Sequence, residues 1–262
     1  MKYHALGRTG LTVSAAGLGC GGPSRLGLGR GGSTNEAVRL IHRALDLGVT
    51  VLDTAPAYGT EGVVGEALGG HRETAVVVTK VSPLDRATGR PVDAAGLQHS
   101  LDESLRLLRT ERVDVLLLHG VGASLYAHCR EVLLPALRAA RDAGKCRSFG
   151  LTEAYESDME HRMLQSALED NLWDCIMVGL NAVNPSARDM LLPRARYKDV
   201  GVLVMRSARD ALRDAMPDEA ARRAHNAYKF CAGLPGVHAI LVGTSSPAHL
   251  EANVAAIAEG AA

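Results

Sequence analysis

The chain lacks features that would assign it to several special classes of protein. No stretch of its 262 residues approaches the roughly 20 apolar residues that a membrane-spanning helix needs. The N-terminal residues MKYHALGRTGLTVS contain no apolar segment of a secretory signal. Lys and Arg number 29 and Asp and Glu number 29, so no net positive field favours nucleic acid or an anionic membrane. We therefore expect a cytoplasmic protein with a small-molecule partner, and neither a nucleic-acid nor a membrane partner.

Paired cysteines are also missing. The cysteines are odd in number, scattered and never spaced as CxxC, which argues against a disulfide framework and against a zinc site. No metal site is therefore expected, and the thiols are interpreted as small buried side chains: Cys20, Cys129, Cys146, Cys175 and Cys231.

The composition is typical of a globular protein with a sizeable core. Hydrophobic residues make up 47% of the chain and charged residues 22%. The length fits one large domain over residues 1–262. Eight short apolar runs recur along the chain and are predicted to be strands: residues 16–20, 49–53, 75–80, 113–119, 147–151, 173–178, 200–205 and 238–243.

The segments between these runs have the apolar spacing of amphipathic helices. Clear examples are EAVRLIHRALDLG, AAGLQHSLDESLRLL, EVLLPALRAARDAG and PAHLEANVAAIA. Ser33 and Glu36 have the spacing of a capping box, Asp93 is placed to cap the helix that follows it, and Pro247 suits a first helical position. Gly48 and Gly144 are expected to end helices.

Eight strands that are apolar throughout and alternate with helices predict a (β/α)8 TIM barrel. A doubly wound dinucleotide-binding sheet is the rival, because GxGxxG occurs twice within residues 17–32 and Asp53 follows at a suitable distance. That fingerprint requires a strand that leads directly through the glycines into a helix. Neither copy has this context, so the segment is interpreted as a glycine-rich loop above the first barrel strand.

Four polar residues are predicted to meet at one end of the barrel. Asp53, Lys80 and His119 each end a predicted strand, and Tyr58 lies in the loop after Asp53. Active sites of such barrels lie at the carboxyl ends of the strands. A lysine held by a buried aspartate would favour the tyrosine phenolate and lower the pKa of Tyr58. The cluster therefore predicts general acid catalysis at a carbonyl, with a cofactor as the redox partner.

At this point the sequence resembles the aldo-keto reductase family. The segments LGRTGLTVSAAGLGCG, DTAPAYGTEGVVGEAL, TK and LLLH are similar to the family's N-terminal hairpin, its Asp and Tyr segment and its Lys and His strands, in the same order. The resemblance implies a barrel with an N-terminal β-hairpin, and as a departure from the family we expect shortened loops. It also implies that Asp53, Tyr58, Lys80 and His119 form a catalytic tetrad, and that a nicotinamide dinucleotide gives hydride to an aldehyde or ketone.

The resemblance extends to the cofactor. LVGTSSPAHLEAN is similar to the segment that holds the adenosine phosphate in the family, which implies contacts from Gly243, Thr244, Ser245, His249 and Asn253. Around the nicotinamide it implies Thr152, Asn181, Met205 and Arg206. NADP(H) is favoured over NAD(H), although His249 stands where many members have arginine.

Several departures keep other functions open. Glu153 replaces a usual amide donor to the nicotinamide carboxamide, Met205 replaces a stacking tyrosine, and the loop after Met205 is short. The first alternative is an NAD(P)-dependent sugar or polyol dehydrogenase. The second is a catalytically weak dinucleotide-binding redox sensor. The sequence leaves the substrate, the reaction direction and the oligomeric state open.

Overall fold

Eight parallel strands close into a barrel in the computed structural model, which describes residues 1–261. An antiparallel hairpin of β1 and β2 precedes it. The strands are β1 Tyr3–Ala5, β2 Thr12–Ser14, β3 Ala16–Gly19, β4 Val51–Asp53, β5 Val76–Val81, β6 Val113–Val121, β7 Cys146–Glu153, β8 Cys175–Gly179, β9 Gly201–Met205 and β10 Ala239–Val242.

Helices surround the barrel. They are α1 Thr34–Asp46, α2 Glu61–Ala67, α3 Ala94–Leu108, α4 Tyr126–His128, α5 Leu134–Asp142, α6 Arg162–Asp170, α7 Ser186–Met190, α8 Leu192–Tyr197, α9 Pro217–Ala232 and α10 Pro247–Gly260. The barrel closes where β10 pairs with β3, in the register Leu241 to Gly17. The predicted (β/α)8 barrel is confirmed, and the rival open sheet is wrong.

Local signals set the helix starts as expected. The Ser33 hydroxyl accepts from the Glu36 N–H, and the Glu36 carboxylate accepts from the Ser33 N–H at 2.8 Å, which completes a capping box. Asp93 accepts from the Gly96 N–H at 2.8 Å and so caps α3. Ser246 accepts from the His249 N–H and caps α10, where Pro247 is the first residue. These contacts fix where each helix leaves the barrel rim.

The predicted helix EVLLPALRAARDAG is less regular than its pattern. A π-helical turn, Cys129–Leu133, precedes α5. Pro135 has no N–H to bond the carbonyl four residues earlier, so a regular α-helix cannot run unbroken through this point. The chain accommodates the proline by widening the preceding turn.

The barrel interior is a packed apolar core that is closed from below. Inward-facing side chains of the strands form one cluster, and Leu6, Leu11 and Val13 of the hairpin segment belong to it. The Arg8 N–H donates to the Asp199 carbonyl, 2.7 Å away, just before β9 begins. The hairpin therefore seals the amino-terminal end of the barrel and leaves the carboxyl-terminal end for ligands.

The five cysteines are free and buried, as expected. Among the described residues no helix combines the length and the apolar character that a membrane crossing requires. No cluster of three or more His, Cys, Asp or Glu side chains within residues 1–261 could hold a metal ion.

Candidate active site

Neighbouring strands deliver an acid, a cation and an imidazole to the open end of the barrel. Side chains alternate along a strand, so Asp53 continues the inward-facing row of Val51, and Lys80 continues that of Val78. His119 follows Leu117 in the same way. Because β4, β5 and β6 are adjacent, the three polar residues lie side by side in the mouth.

Lys80 and Asp53 form a buried ion pair. Their side chains are in hydrogen-bond contact, and the Lys80 ammonium also donates to the Thr54 carbonyl at 2.9 Å. Only 1% of the Lys80 side chain and 6% of the Asp53 side chain are exposed. Burial opposes the charge of Lys80, but attraction to Asp53 and to Tyr58 outweighs it and raises the pKa of Lys80. The ammonium is therefore a permanent positive charge below the mouth.

Tyr58 lies over this cation. The Lys80 ammonium is 4.9 Å from the centroid of the Tyr58 ring, and the Tyr58 hydroxyl is 3.4 Å from Nε2 of His119. The ring packs directly on Gly21, where an added Cβ would come within 2.6 Å of it. The glycine-rich segment thus lets the tyrosine approach, and the structure brings all four sequence-predicted residues together.

The pKa of Tyr58 differs from the expectation. Burial raises it, and the Lys80 charge, which lowers it, does not compensate, so the pKa of Tyr58 lies above its ordinary value. The predicted lowering of the Tyr58 pKa is wrong, because desolvation of the phenolate has a larger effect than the Lys80 charge. Burial first, and then the charges of Lys80 and Arg86, lower the pKa of His119 to about 3. Both groups are therefore neutral at physiological pH.

A second buried carboxylate beneath the site escaped sequence analysis. Glu61 lies in α2 and is 2% exposed, and its carboxylate accepts from the Thr79 hydroxyl at 2.6 Å. Thr79 immediately precedes Lys80. The contact fastens α2 to the strand that carries the lysine. An acid three residues after a tyrosine gives no sequence signal of such a contact.

The residues predicted to hold the adenosine end of a dinucleotide lie together at the end of β10. His249 and Asn253 are one helical turn apart on α10, and therefore share a face. The Thr244 hydroxyl accepts from the Ser246 N–H at 3.1 Å. The Ser246 N–H and the His249 N–H are therefore not available to an anion, because both have side-chain partners.

The rim beside this segment has room for a flat ligand. Glycines 19 and 243 occupy neighbouring positions on β3 and just after β10, and a Cβ added at Gly243 would find no atom nearer than 4.0 Å. Gly27 of the glycine-rich segment approaches Ser245, at 3.6 Å from an added Cβ to the Ser245 Cβ. The rim between β3 and β10 is therefore lined by backbone that carries no side chains at these positions.

The nicotinamide-side residues have partners of their own. Thr152 accepts from the Gly120 N–H at 2.7 Å, which leaves its hydroxyl hydrogen for a ligand. Both oxygens of Glu153 are engaged, one by the Gly179 N–H and one by Nδ1 of His161, each at 2.7 Å. The Asn181 amide donates to Asp210 at 3.0 Å. The structure therefore leaves Thr152 the freest of these polar groups.

Met205 ends β9, and Arg206 follows it beside an aromatic ring that sequence analysis did not single out. Met205 pairs with Gly179 in the β8–β9 register. The Tyr155 ring packs on Gly179, and the Arg206 guanidinium lies 4.9 Å from the centroid of that ring. An aromatic side chain from the turn after β7 thus packs on Gly179, the residue that pairs with Met205.

These features describe a closed barrel with a tyrosine, a buried lysine–aspartate pair and a histidine in its open end. The sequence profile of the aldo/keto reductase family matches residues 18–214. The chain therefore belongs to the aldo/keto reductase family. It is an NAD(P)H-dependent oxidoreductase.

Individual relatives agree with this assignment. The chain is 28% identical to the L-galactose dehydrogenase of Arabidopsis thaliana, over 99% of this chain and 89% of the relative. An aldo-keto reductase from Bacillus halodurans in its holo form superposes with a TM-score of 0.81 at 25% identity, over 98% and 91% of the two chains. The fold also matches an aldo-keto reductase of Klebsiella pneumoniae in complex with NADPH, with a TM-score of 0.76, 24% identity and coverage of 98% and 90%.

Proposed function

We propose that this protein reduces a small aldehyde or ketone to an alcohol with NADP(H), and that Tyr58 is the general acid. One observation carries the proposal. The Tyr58 ring lies 4.9 Å from a buried ammonium, and its hydroxyl is 3.4 Å from an uncharged imidazole, that of His119. A phenol between a cation and a neutral hydrogen-bonding ring suits the delivery of a proton to a carbonyl oxygen.

The raised pKa of Tyr58 suits a proton donor. The phenol stays protonated at neutral pH until the carbonyl oxygen gains negative charge. Lys80 then stabilises the phenolate that remains, and Asp53 holds Lys80 in place. His119 orients the oxygen by a hydrogen bond. A bound nicotinamide supplies the hydride that the protein's own side chains cannot provide.

The dinucleotide would be held by residues at both ends of the rim. Gly243, Thr244, Ser245, His249 and Asn253 would receive its adenosine phosphate. Thr152, Asn181, Met205 and Arg206 would border its nicotinamide. His249 is exposed at the start of α10 and, when protonated, provides the positive charge that favours a 2′-phosphate. The NADPH complex of the Klebsiella relative is consistent with NADP(H) in this chain.

A dehydrogenase that oxidises a sugar or polyol is the second candidate. The relative from Arabidopsis thaliana is an L-galactose dehydrogenase, and the same acid–base group would run the reaction in reverse. A histidine at position 249 weakens the demand for a phosphate on the cofactor, which favours NAD in this alternative.

The buried free cysteines agree with the cytoplasmic location that we propose.

Replacement of Tyr58 tests the proposal. We expect Tyr58→Phe to lower kcat for 4-nitrobenzaldehyde with NADPH by about 10²- to 10⁴-fold, the range for a lost general acid. Tyr197→Phe is the matched control, because Tyr197 is 90% exposed. Unchanged reduction by Tyr58→Phe would refute the role of Tyr58. Binding of NADPH without any turnover in the unmodified protein would instead favour the redox sensor.

A further inference from the structure

Tyr155 carries a buried hydroxyl without a partner. The residue is 4% exposed, and its hydroxyl makes no hydrogen bond to any residue that the structure describes. A buried polar group without a partner is costly, and its presence calls for an explanation, of which a ligand is one. Tyr126 offers the contrast, since its buried hydroxyl donates to Asp170 at 2.8 Å and accepts from Trp173 at 3.2 Å.

The ring of Tyr155 lies on the inner side of the barrel rim. Cys175 and Met177 of β8 face the barrel interior, so the next residue of that row, Gly179, faces inward too. A Cβ added at Gly179 would collide with the Tyr155 ring. The ring therefore fills the inward position that Gly179 leaves empty, at the same end of the barrel as Lys80.

Arg206 covers this ring and has an unused donor as well. Its Nη1 is buried and has no partner among the described residues, while Nη2 donates to Glu156 at 2.6 Å. Arg206 adopts a left-handed backbone with φ of 64°, which is uncommon for a residue other than glycine. Backbone strain of this kind is concentrated at ligand sites. Glu156 is 66% exposed, so the Arg206 guanidinium is held from the solvent side of the Tyr155 ring.

The neighbouring acceptors do not serve these two donors. Glu153 uses both carboxylate oxygens, on Gly179 and on His161. The Asn181 oxygen accepts from the Val183 N–H at 2.9 Å and from the Asn184 N–H at 2.8 Å. The Tyr155 hydroxyl and the Arg206 Nη1 group are thus left without acceptors at the rim, where the guanidinium stacks on the ring. The oxygens of Glu153 and Asn181 are already occupied.

We infer that Tyr155 and Arg206 form a subsite for an oxygen acceptor of a ligand in the barrel mouth. A carboxylate or amide carbonyl oxygen has the chemistry that these donors recognise. Such an oxygen belongs either to the dinucleotide or to a carbonyl substrate that bears a carboxylate. The subsite rests on the proposed function, because that function brings both molecules to this mouth.

The isosteric variant Tyr155→Phe removes only the hydroxyl. Its affinity for NADP⁺ and NAD⁺ is measured by calorimetric titration, and its kcat/KM by reduction of 4-carboxybenzaldehyde and of the neutral methyl 4-formylbenzoate. If the bound oxygen belongs to the dinucleotide, the Kd values of Tyr155→Phe should be about tenfold higher than those of the unmodified protein. If it belongs to the substrate, the Kd values should be unchanged. The ratio of kcat/KM for the acid to kcat/KM for the ester should then be about tenfold lower. Arg206→Met should affect the same ligand.

Thermal stability separates this subsite from a structural role. A buried hydroxyl without a partner destabilises the fold, so the Tm of Tyr155→Phe should equal or exceed that of the unmodified protein. Tyr126→Phe, which loses two hydrogen bonds, should have a lower Tm. A lower Tm or lost folding in Tyr155→Phe, or unchanged Kd values together with an unchanged substrate ratio, would overturn the inference. The titrations need no turnover, so they are independent of the role of Tyr58.

Discussion

Lys80 and Asp53 neutralise each other inside the open end of the barrel, where neither side chain is more than 6% exposed. Their contact joins the ends of two adjacent strands, β4 and β5. Removal of one partner would leave the other charge buried and unpaired, which is more costly than the loss of the attraction itself. The pair therefore affects stability as well as chemistry.

We expect Lys80→Met to lower the free energy of unfolding by about 3–5 kcal/mol, the typical loss when one partner of a buried pair is removed. Urea denaturation checks this value. The double variant Lys80→Met/Asp53→Asn should recover much of the loss, because it removes the stranded charge. A double variant as unstable as the single one would contradict the argument. Lys2→Met, at an exposed position, is the control.

Acid should destabilise the protein through His119. Its pKa is about 3 in the folded protein, against an ordinary value of about 6.5. Below pH 6.5 the unfolded chain binds a proton that the folded chain does not, so stability falls as the pH drops from about 6.5 towards 3. The slope from this residue approaches about 1.4 kcal/mol per pH unit. Denaturant midpoints of the unmodified protein and of His119→Asn would show whether the variant has the shallower slope.

Glu153 and His161 should brace the rim. The pair is fully buried, and His161 also contacts the Ser186 hydroxyl at 2.9 Å. Glu153→Leu would leave Nδ1 of His161 and the Gly179 N–H without their buried acceptor, so we expect a loss of about 1–3 kcal/mol for each group left unsatisfied. Glu160→Leu is the control, since Glu160 is 65% exposed. Equal Tm values for the two variants would contradict a bracing role.

His249 should set the preference for the cofactor. Arginine carries a permanent charge and binds phosphate in a bidentate manner, which histidine does not. We expect His249→Arg to lower the Kd of NADP⁺ about tenfold and to leave that of NAD⁺ unchanged, if the residue faces the 2′-phosphate as proposed. Calorimetric titration measures both. Equal effects on the two cofactors would place position 249 away from that phosphate.

The architecture and the four clustered residues were predictable because they depend on short-range rules. Strand ends of a parallel barrel meet on one face, so Asp53, Lys80 and His119 could be grouped from their positions alone. The capping box at Ser33 follows from spacing in the same way. Such patterns need no knowledge of distant contacts.

The remaining features depend on contacts that no spacing reveals. His161 adopts a left-handed backbone, with φ of 58°, and its Nδ1 lies 2.7 Å from Glu153, eight residues earlier. The Tyr155 ring, from the turn after β7, packs on Gly179 of β8 because glycine leaves room for it. The direction of the Tyr58 pKa shift depends on how far burial outweighs the Lys80 charge. These are properties of the folded interior.

Leu6, Leu11 and Val13 fill the amino-terminal end of the barrel, and this closure also constrains turnover. Because side chains fill this end, the dinucleotide and the substrate that we propose both have to enter and leave through the opposite end of the barrel. For the reaction that we propose, product inhibition in steady-state kinetics should consequently show a compulsory order of binding.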